Sequence, residues 1–152
     1  MLRATLNDAL RQATLTRDSR TVSTVRLILA ALKDRDIAAR SHGNTEGISE
    51  AEILQMFHSM VKQRRDSVTL YEQGGRPELA QREMEEIAVI QRFLPRQMKD
   101  EEIVQAVGSI LEEIGGGGLK DMGRVMAALR ERYTGQMDFA KASAEVKKRL
   151  SA

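Results

Sequence analysis

His42 and His58 are the only imidazoles in a chain of 152 residues that has no cysteine. A structural zinc site takes about four protein ligands and a catalytic one about three, so only carboxylates could complete either. Helical spacing brings no further ligand to His58, and both histidines are read as structural or solvent-facing, with no metal or cofactor expected. Without thiols, disulfides and cysteine nucleophiles are excluded. No Gly-x-Ser-x-Gly elbow presents a serine nucleophile. The paired carboxylates Glu85-Glu86 and Glu112-Glu113 are adjacent, so they diverge around a helix and read as solvated surface. The glycines at 115–118 follow a helical pattern rather than a strand and precede no Gly-Lys-Ser/Thr, which rules out a P-loop and leaves a helix stop with a flexible tether. These residue types assign no catalytic side chain.

Two charged constellations remain. At about 100° per residue, Arg64 falls within the stripe of Ile53, Phe57, Val61, Val68 and Tyr71. Glu83 falls likewise within the stripe of Leu79, Ile87, Ile90 and Leu94. A buried ion without a partner costs several kcal/mol, so Arg64 and Glu83 are expected to meet. That pair reads either as a lock on a helical hairpin or as a polar site between its helices.

The second constellation is basic. Residues 96–118 hold two basic and five acidic side chains, whereas 119–152 hold eight basic and four acidic. Over 119–133 the wheel buries Met122, Val125, Met126, Leu129 and Tyr133. Lys120 and Arg124 point opposite that stripe, and Gly123 and Arg130 share one flank. A glycine inside a helix costs about 1 kcal/mol relative to alanine, so Gly123 suggests close approach by a backbone. It could belong to a neighbouring helix or to a phosphate–sugar chain. With Lys147 and Lys148 near the C-terminus, these cations could neutralise phosphates.

The elements that must position these residues are helices. Apolar residues recur every three or four positions and no period-two alternation is sustained. The pattern predicts helices over 2–14, from Asp18 or Ser19 through Leu32, and from the capping box Ser49/Glu52 to about Glu72. Gly74-Gly75 ends the third, and Pro77 opens a fourth, with Met84 on its apolar face, that stops near Pro95. The polar segment 41–48 reads as a mobile loop. Asp100, Glu101 and Glu102 start another helix at its positive end, and helices over 119–133 and 138–150 complete the chain. An all-α protein follows, with an N-terminal multi-helix subdomain (1–95) and a C-terminal three-helix subdomain (96–152).

Composition agrees. Three Phe, two Tyr and no Trp leave an aliphatic core with eight Met as filler, and 24 basic against 22 acidic residues leave the chain near neutral. No apolar run approaches the roughly 20 residues that span a bilayer, and the N-terminal stretch has no signal-peptide centre. A cytoplasmic protein with no DNA or membrane partner is expected.

Several stretches carry a resemblance. Gly75-Arg76-Pro77-Glu78-Leu79-Ala80, Glu83, Glu86-Ile87 and Phe93-Leu94-Pro95-Arg96-Gln97 resemble the YqeY side of the GatB/YqeY family. So do Arg26 to Lys33, Val61-Lys62-Gln63-Arg64, Met122-Gly123-Arg124-Val125-Met126 and Val146-Lys147-Lys148-x-Leu150. The resemblance implies an all-helical protein whose C-terminal part is similar to the tail of the B subunit of the tRNA-dependent aspartyl/glutamyl amidotransferase. It implies tRNA as partner, with the contact surface around Met122, Gly123, Arg124 and Met126. It also implies a carbon–nitrogen ligase activity with glutamine as amide donor, which the chain is too short to carry alone. An accessory role in that activity, or a protein adaptor for an amidotransferase or tRNA-modifying enzyme, is the alternative to a non-catalytic tRNA-binding protein.

Overall fold

The computed structural model describes residues 1–115 and 117–151. They form an all-α chain of two compact units, Met1–Leu94 and Pro95–Ala152.

The first unit holds α1 (Leu2–Leu15), α2 (Ser19–Arg40), α3 (Glu50–Gln73) and α4 (Pro77–Gln91). Each start has a chemical reason. Asp18 caps α2 by accepting the Thr21 amide at 3.2 Å. Ser49 Oγ accepts the Glu52 amide at 3.2 Å while the Ser49 amide donates to the Glu52 carboxylate at 3.3 Å, closing the capping box of α3. Pro77 is the first residue of α4, where its missing N–H has no intrahelical partner to lose. Helices α3 and α4 pack as a hairpin, and α2 packs on α1, α3 and α4. The core is aliphatic around Phe57, whose ring lies 6.2 Å from that of Phe93. Met84, expected inside, is 50 % exposed, whereas Val89 is buried. Contact with α2 as well as α3 turns the buried stripe of α4 toward Val89.

The segment 41–48, expected to be mobile, is tied down. Asp36 Oδ1 accepts the Ile48 amide at 2.9 Å, Arg3 donates to the Ile48 carbonyl at 3.1 Å, and the Ile48 side chain is buried. Gly47 adopts φ +96°, and a Cβ there would lie 2.7 Å from Arg3 Nη2 and 2.9 Å from Asp36 Oδ1, so the staple requires glycine.

The second unit holds α5 (Asp100–Ile114), a 3-10 turn (Leu119–Asp121), α6 (Met122–Tyr133) and α7 (Phe139–Leu150). Its core joins Ile103, Val107, Ile110, Val125, Leu129 and Val146. Asp138 caps α7 by accepting the Ala140 and Lys141 amides at 3.0 and 3.3 Å. Ahead of α5, the Met98 amide donates to the Gln136 carbonyl at 2.8 Å and the Gln97 side chain to the Gly135 carbonyl at 2.6 Å. The strap into α5 is thereby pinned to the α6–α7 turn. Of the four glycines read as a tether, Gly116 lies outside the described residues. The single helix expected over 119–133 begins with the 3-10 turn instead. There the Asp121 carboxylate accepts the Gly117 amide at 2.8 Å rather than capping α6.

Candidate nucleic-acid interface

The start of α6 brings three of the expected residues together. Lys120 sits on the 3-10 turn, and Gly123 and Arg124 are the second and third residues of α6, all three exposed. Gly123 therefore lies in a first turn rather than in mid-helix. A Cβ added to it would meet nothing within 4 Å. Among the described residues no neighbouring helix approaches it, and a first-turn position removes the mid-helix cost that suggested a close approach.

Arg124 is engaged, though at the surface. Its Nη2 lies 3.1 Å from Asp121 Oδ1, with the side chains 58 % and 18 % exposed. The Gly117 amide foremost, then the charges of Arg124 and Lys120, hold the Asp121 carboxyl below its ordinary value. Asp121 is therefore anionic at neutral pH. It competes with any phosphate for the arginine.

The remaining expected residues are distributed differently. Met126, placed on the contact surface by the resemblance, is 5 % exposed and belongs to the core, because its position faces α5 and α7. Met122 is half-buried against the edge of that core. Arg130 stands six residues from Arg124, about 120° around the helix, and covers the Phe139 ring at 5.9 Å. Lys147 and Lys148 are exposed in the last turn of α7, which packs on α6. Among the described residues Lys120, Lys147 and Lys148 form no ion pair, whereas Arg132 holds Glu113 at 2.6 Å and Lys141 holds Asp100 at 2.9 Å.

Arg149 carries a role that sequence reasoning missed. It holds Glu145 at 2.8 Å and donates from Nη2 to the Val104 carbonyl of α5 at 3.2 Å. A Cβ on Gly108 would fall 2.7 Å from Arg149 Nη1, so a bare helix position lets the guanidinium lie on α5. Asp121 was missed as well, although its i,i+3 spacing from Arg124 is a standard helical pairing distance. A Ser-x-x-Lys motif, expected to be absent, does stand at Ser59 and Lys62, but both side chains are exposed on α3, whereas a lysine base is activated by burial.

In the first unit the cation between the hairpin helices is Arg64, but the carboxylate it binds is Glu86 rather than Glu83. Arg64 Nε lies 3.0 Å from Glu86 Oε2, with the side chains 14 % and 12 % exposed. Arg64 Nη1 also donates to the Met60 carbonyl at 3.3 Å. Glu86, read as solvated surface, is thus part of the helix contact. Glu83 sits one turn earlier, its carboxyl raised by burial first and by the Glu86 charge second, against the pull of Arg64.

A family model described as Yqey-like protein matches residues 3–150. The chain belongs to the YqeY family. Relatives of this YqeY chain include the proteins named altered inheritance of mitochondria protein 41, mitochondrial, from three yeasts. That of Vanderwaltozyma polyspora is 29% identical over 59% of this chain and 46% of its own length. The Lachancea thermotolerans protein is 26% identical over 73% and 58%, and the Clavispora lusitaniae protein 29% over 74% and 64%. The chain therefore spans about half to two-thirds of the curated relatives it matches. Among the described residues no helix is long and apolar enough to cross a membrane, and no group of three or more His, Cys, Asp and Glu could hold a metal ion.

Proposed function

We propose that this YqeY-family chain is a non-catalytic RNA-docking protein whose C-terminal unit binds the phosphate backbone of tRNA. The observation that carries the reading is the open start of α6, where Gly123 faces empty space between exposed Lys120 and Arg124. A phosphate–sugar chain can approach a helix where no side chain stands in the way. Lys120, Lys147 and Lys148 then release counterions from phosphates. Arg124 exchanges Asp121 for a phosphate, a small change because an exposed pair is worth about 0–1 kcal/mol. Such contacts hold and orient an RNA without reading its sequence. The location that goes with this reading is the cytoplasm, whereas the yeast relatives are named as mitochondrial proteins.

The methionine-lined adaptor surface finds less support, since Met56, Met60, Met126 and Met137 are all buried. An accessory part in carbon–nitrogen ligation would require a partner that supplies ammonia.

Filter binding of purified full-length chain to bulk tRNA tests the proposal. Retention is expected to fall steeply with salt. Lys120→Ala with Arg124→Ala is expected to reduce the slope of log K against log salt by about 2 and to weaken all tRNAs alike. Asp121→Asn, which frees Arg124 and removes an anion, should strengthen retention. Salt-insensitive or absent retention would overturn the reading, as would ammonia transfer by the chain alone.

A further inference from the structure

A groove of about 320 Å³ runs between α1 and α2 in the first unit. Leu29, Leu32 and Ile37 supply its apolar lining, and Arg3, Lys33 and Arg40 its positive charge. Its one carboxylate, Asp36, is held by Arg3 and Ile48, and the Arg40 charge also acts on it. Arg3 donates to both of its oxygens at 2.6 and 2.9 Å, and the Ile48 amide adds a third bond. Lys33 and Arg40 are exposed and form no ion pair among the described residues.

The register of α2 extends this arrangement. Seven residues of helix return to within about 20° of the same direction and advance about 10 Å. Arg26, Lys33 and Arg40 therefore form one exposed row along the helix, and Arg26 too lacks an ion pair among the described residues. Ala30 and Ile37 lie between the cations on the same face, with Ile37 51% exposed. Asp34 lies about 100° from the row's mean direction, and Asp36 borders the row about 60° to its other side, where Arg3 and the Ile48 amide hold its carboxylate.

Charge and apolar surface thus alternate at heptad spacing beside a groove with an apolar floor. A phosphate backbone would meet the cations but gain nothing from Leu29 and Ile37. An amphipathic helix with carboxylates one heptad apart and an apolar residue between them satisfies both features. We propose that the α1–α2 face docks an acidic amphipathic helix of a partner protein, its carboxylates on Lys33 and Arg40 and its apolar side chain on Ile37 and Leu29. This contact is separate from RNA docking at α6 and stands or falls without it.

The test is selection from a displayed library of amphipathic helices with randomised polar positions, using the full chain as bait. Enriched peptides are expected to carry Glu or Asp one heptad apart. Their affinity should fall by roughly tenfold in Lys33→Glu, and a peptide with Lys at the matching position should recover binding to that variant. Ile37→Asn should also weaken binding. Far-UV circular dichroism checks that the variants keep the fold, which exposed, unpaired side chains should allow. An unenriched library, enrichment without acidic bias, or equal binding to Lys33→Glu would each overturn the proposal. So would loss of tRNA retention in Lys33→Glu with peptide binding unchanged, which would make the row a nucleic-acid contact.

Discussion

Arg64 and Arg124 hold carboxylates at 3.0 and 3.1 Å, yet the first pair is 14 % and 12 % exposed and the second 58 % and 18 %. Distance alone therefore says little about what either arginine does. Between α3 and α4 both ions are largely withdrawn from water, and each compensates much of the other's desolvation. At the start of α6 the guanidinium stays largely exposed, so its pair with Asp121 is screened by solvent. The part-buried arginine serves the hairpin, and the exposed one holds a solvent-screened pair. Charge counts would treat them as equal.

The largest effect should come from breaking the part-buried Arg64–Glu86 pair. Arg64→Ala leaves Glu86 desolvated beside Glu83 and is expected to destabilise the chain by about 3 kcal/mol in urea unfolding. Arg124→Ala should shift the same transition by no more than about 0.5 kcal/mol. Equal losses would mean that exposure does not separate the two arginines.

Helix identity was legible because apolar periodicity and short-range capping agree. Asp18, Ser49, Pro77 and Asp138 each mark a start that the structure has. Choices between residues on one helical face were less legible. Glu83 and Glu86 stand one turn apart on α4, and a wheel cannot tell which of them a long arginine on α3 will reach. Met84 and Val89 changed places because α4 packs on α2 as well as α3, a tertiary fact without local signature. Gly123 and Gly108 look alike in sequence. One faces empty space, and the other makes room for Arg149 from a different helix. Only Asp121 left a readable trace, through its spacing from Arg124.

A pair of intermediate exposure places the comparison on a scale. Arg3 and Asp36 are 38 % and 20 % exposed, and hydrogen bonds from Arg3 foremost, with the Ile48 amide, lower the Asp36 carboxyl from 3.8 to about 2. A depressed folded-state value means that the stabilisation is complete above the unfolded value and is lost as pH falls through the folded one. Stability of the native chain should therefore decline between about pH 4 and pH 2. Asp36→Asn should flatten that decline, with a loss of about 1 kcal/mol at neutral pH after allowance for solvent screening. Unfolding measured across acid pH decides this, and an unchanged acid limb would assign the α1–α2 staple to its backbone contacts alone.

Glu83 gives the smallest effect and the sharpest contrast, because it shares Arg64 with Glu86 without a hydrogen bond to it among the described residues. Burial and the Glu86 charge raise its carboxyl above the ordinary value. A raised folded-state value contributes stability that is complete below the unfolded value and lost as pH rises through the folded one. At neutral pH the ionised Glu83 thus works against the hairpin that Glu86 supports. Glu83→Gln should stabilise the chain at pH 7 by about 0.5 kcal/mol and change little near pH 3, where the native carboxyl is already protonated. Glu86→Gln should do the opposite at pH 7, since it takes the hydrogen-bonded charge away from Arg64. If both substitutions destabilised the chain equally, the two carboxylates would be sharing the arginine, and the distinction between a bonded and a merely neighbouring charge would fail at this hairpin.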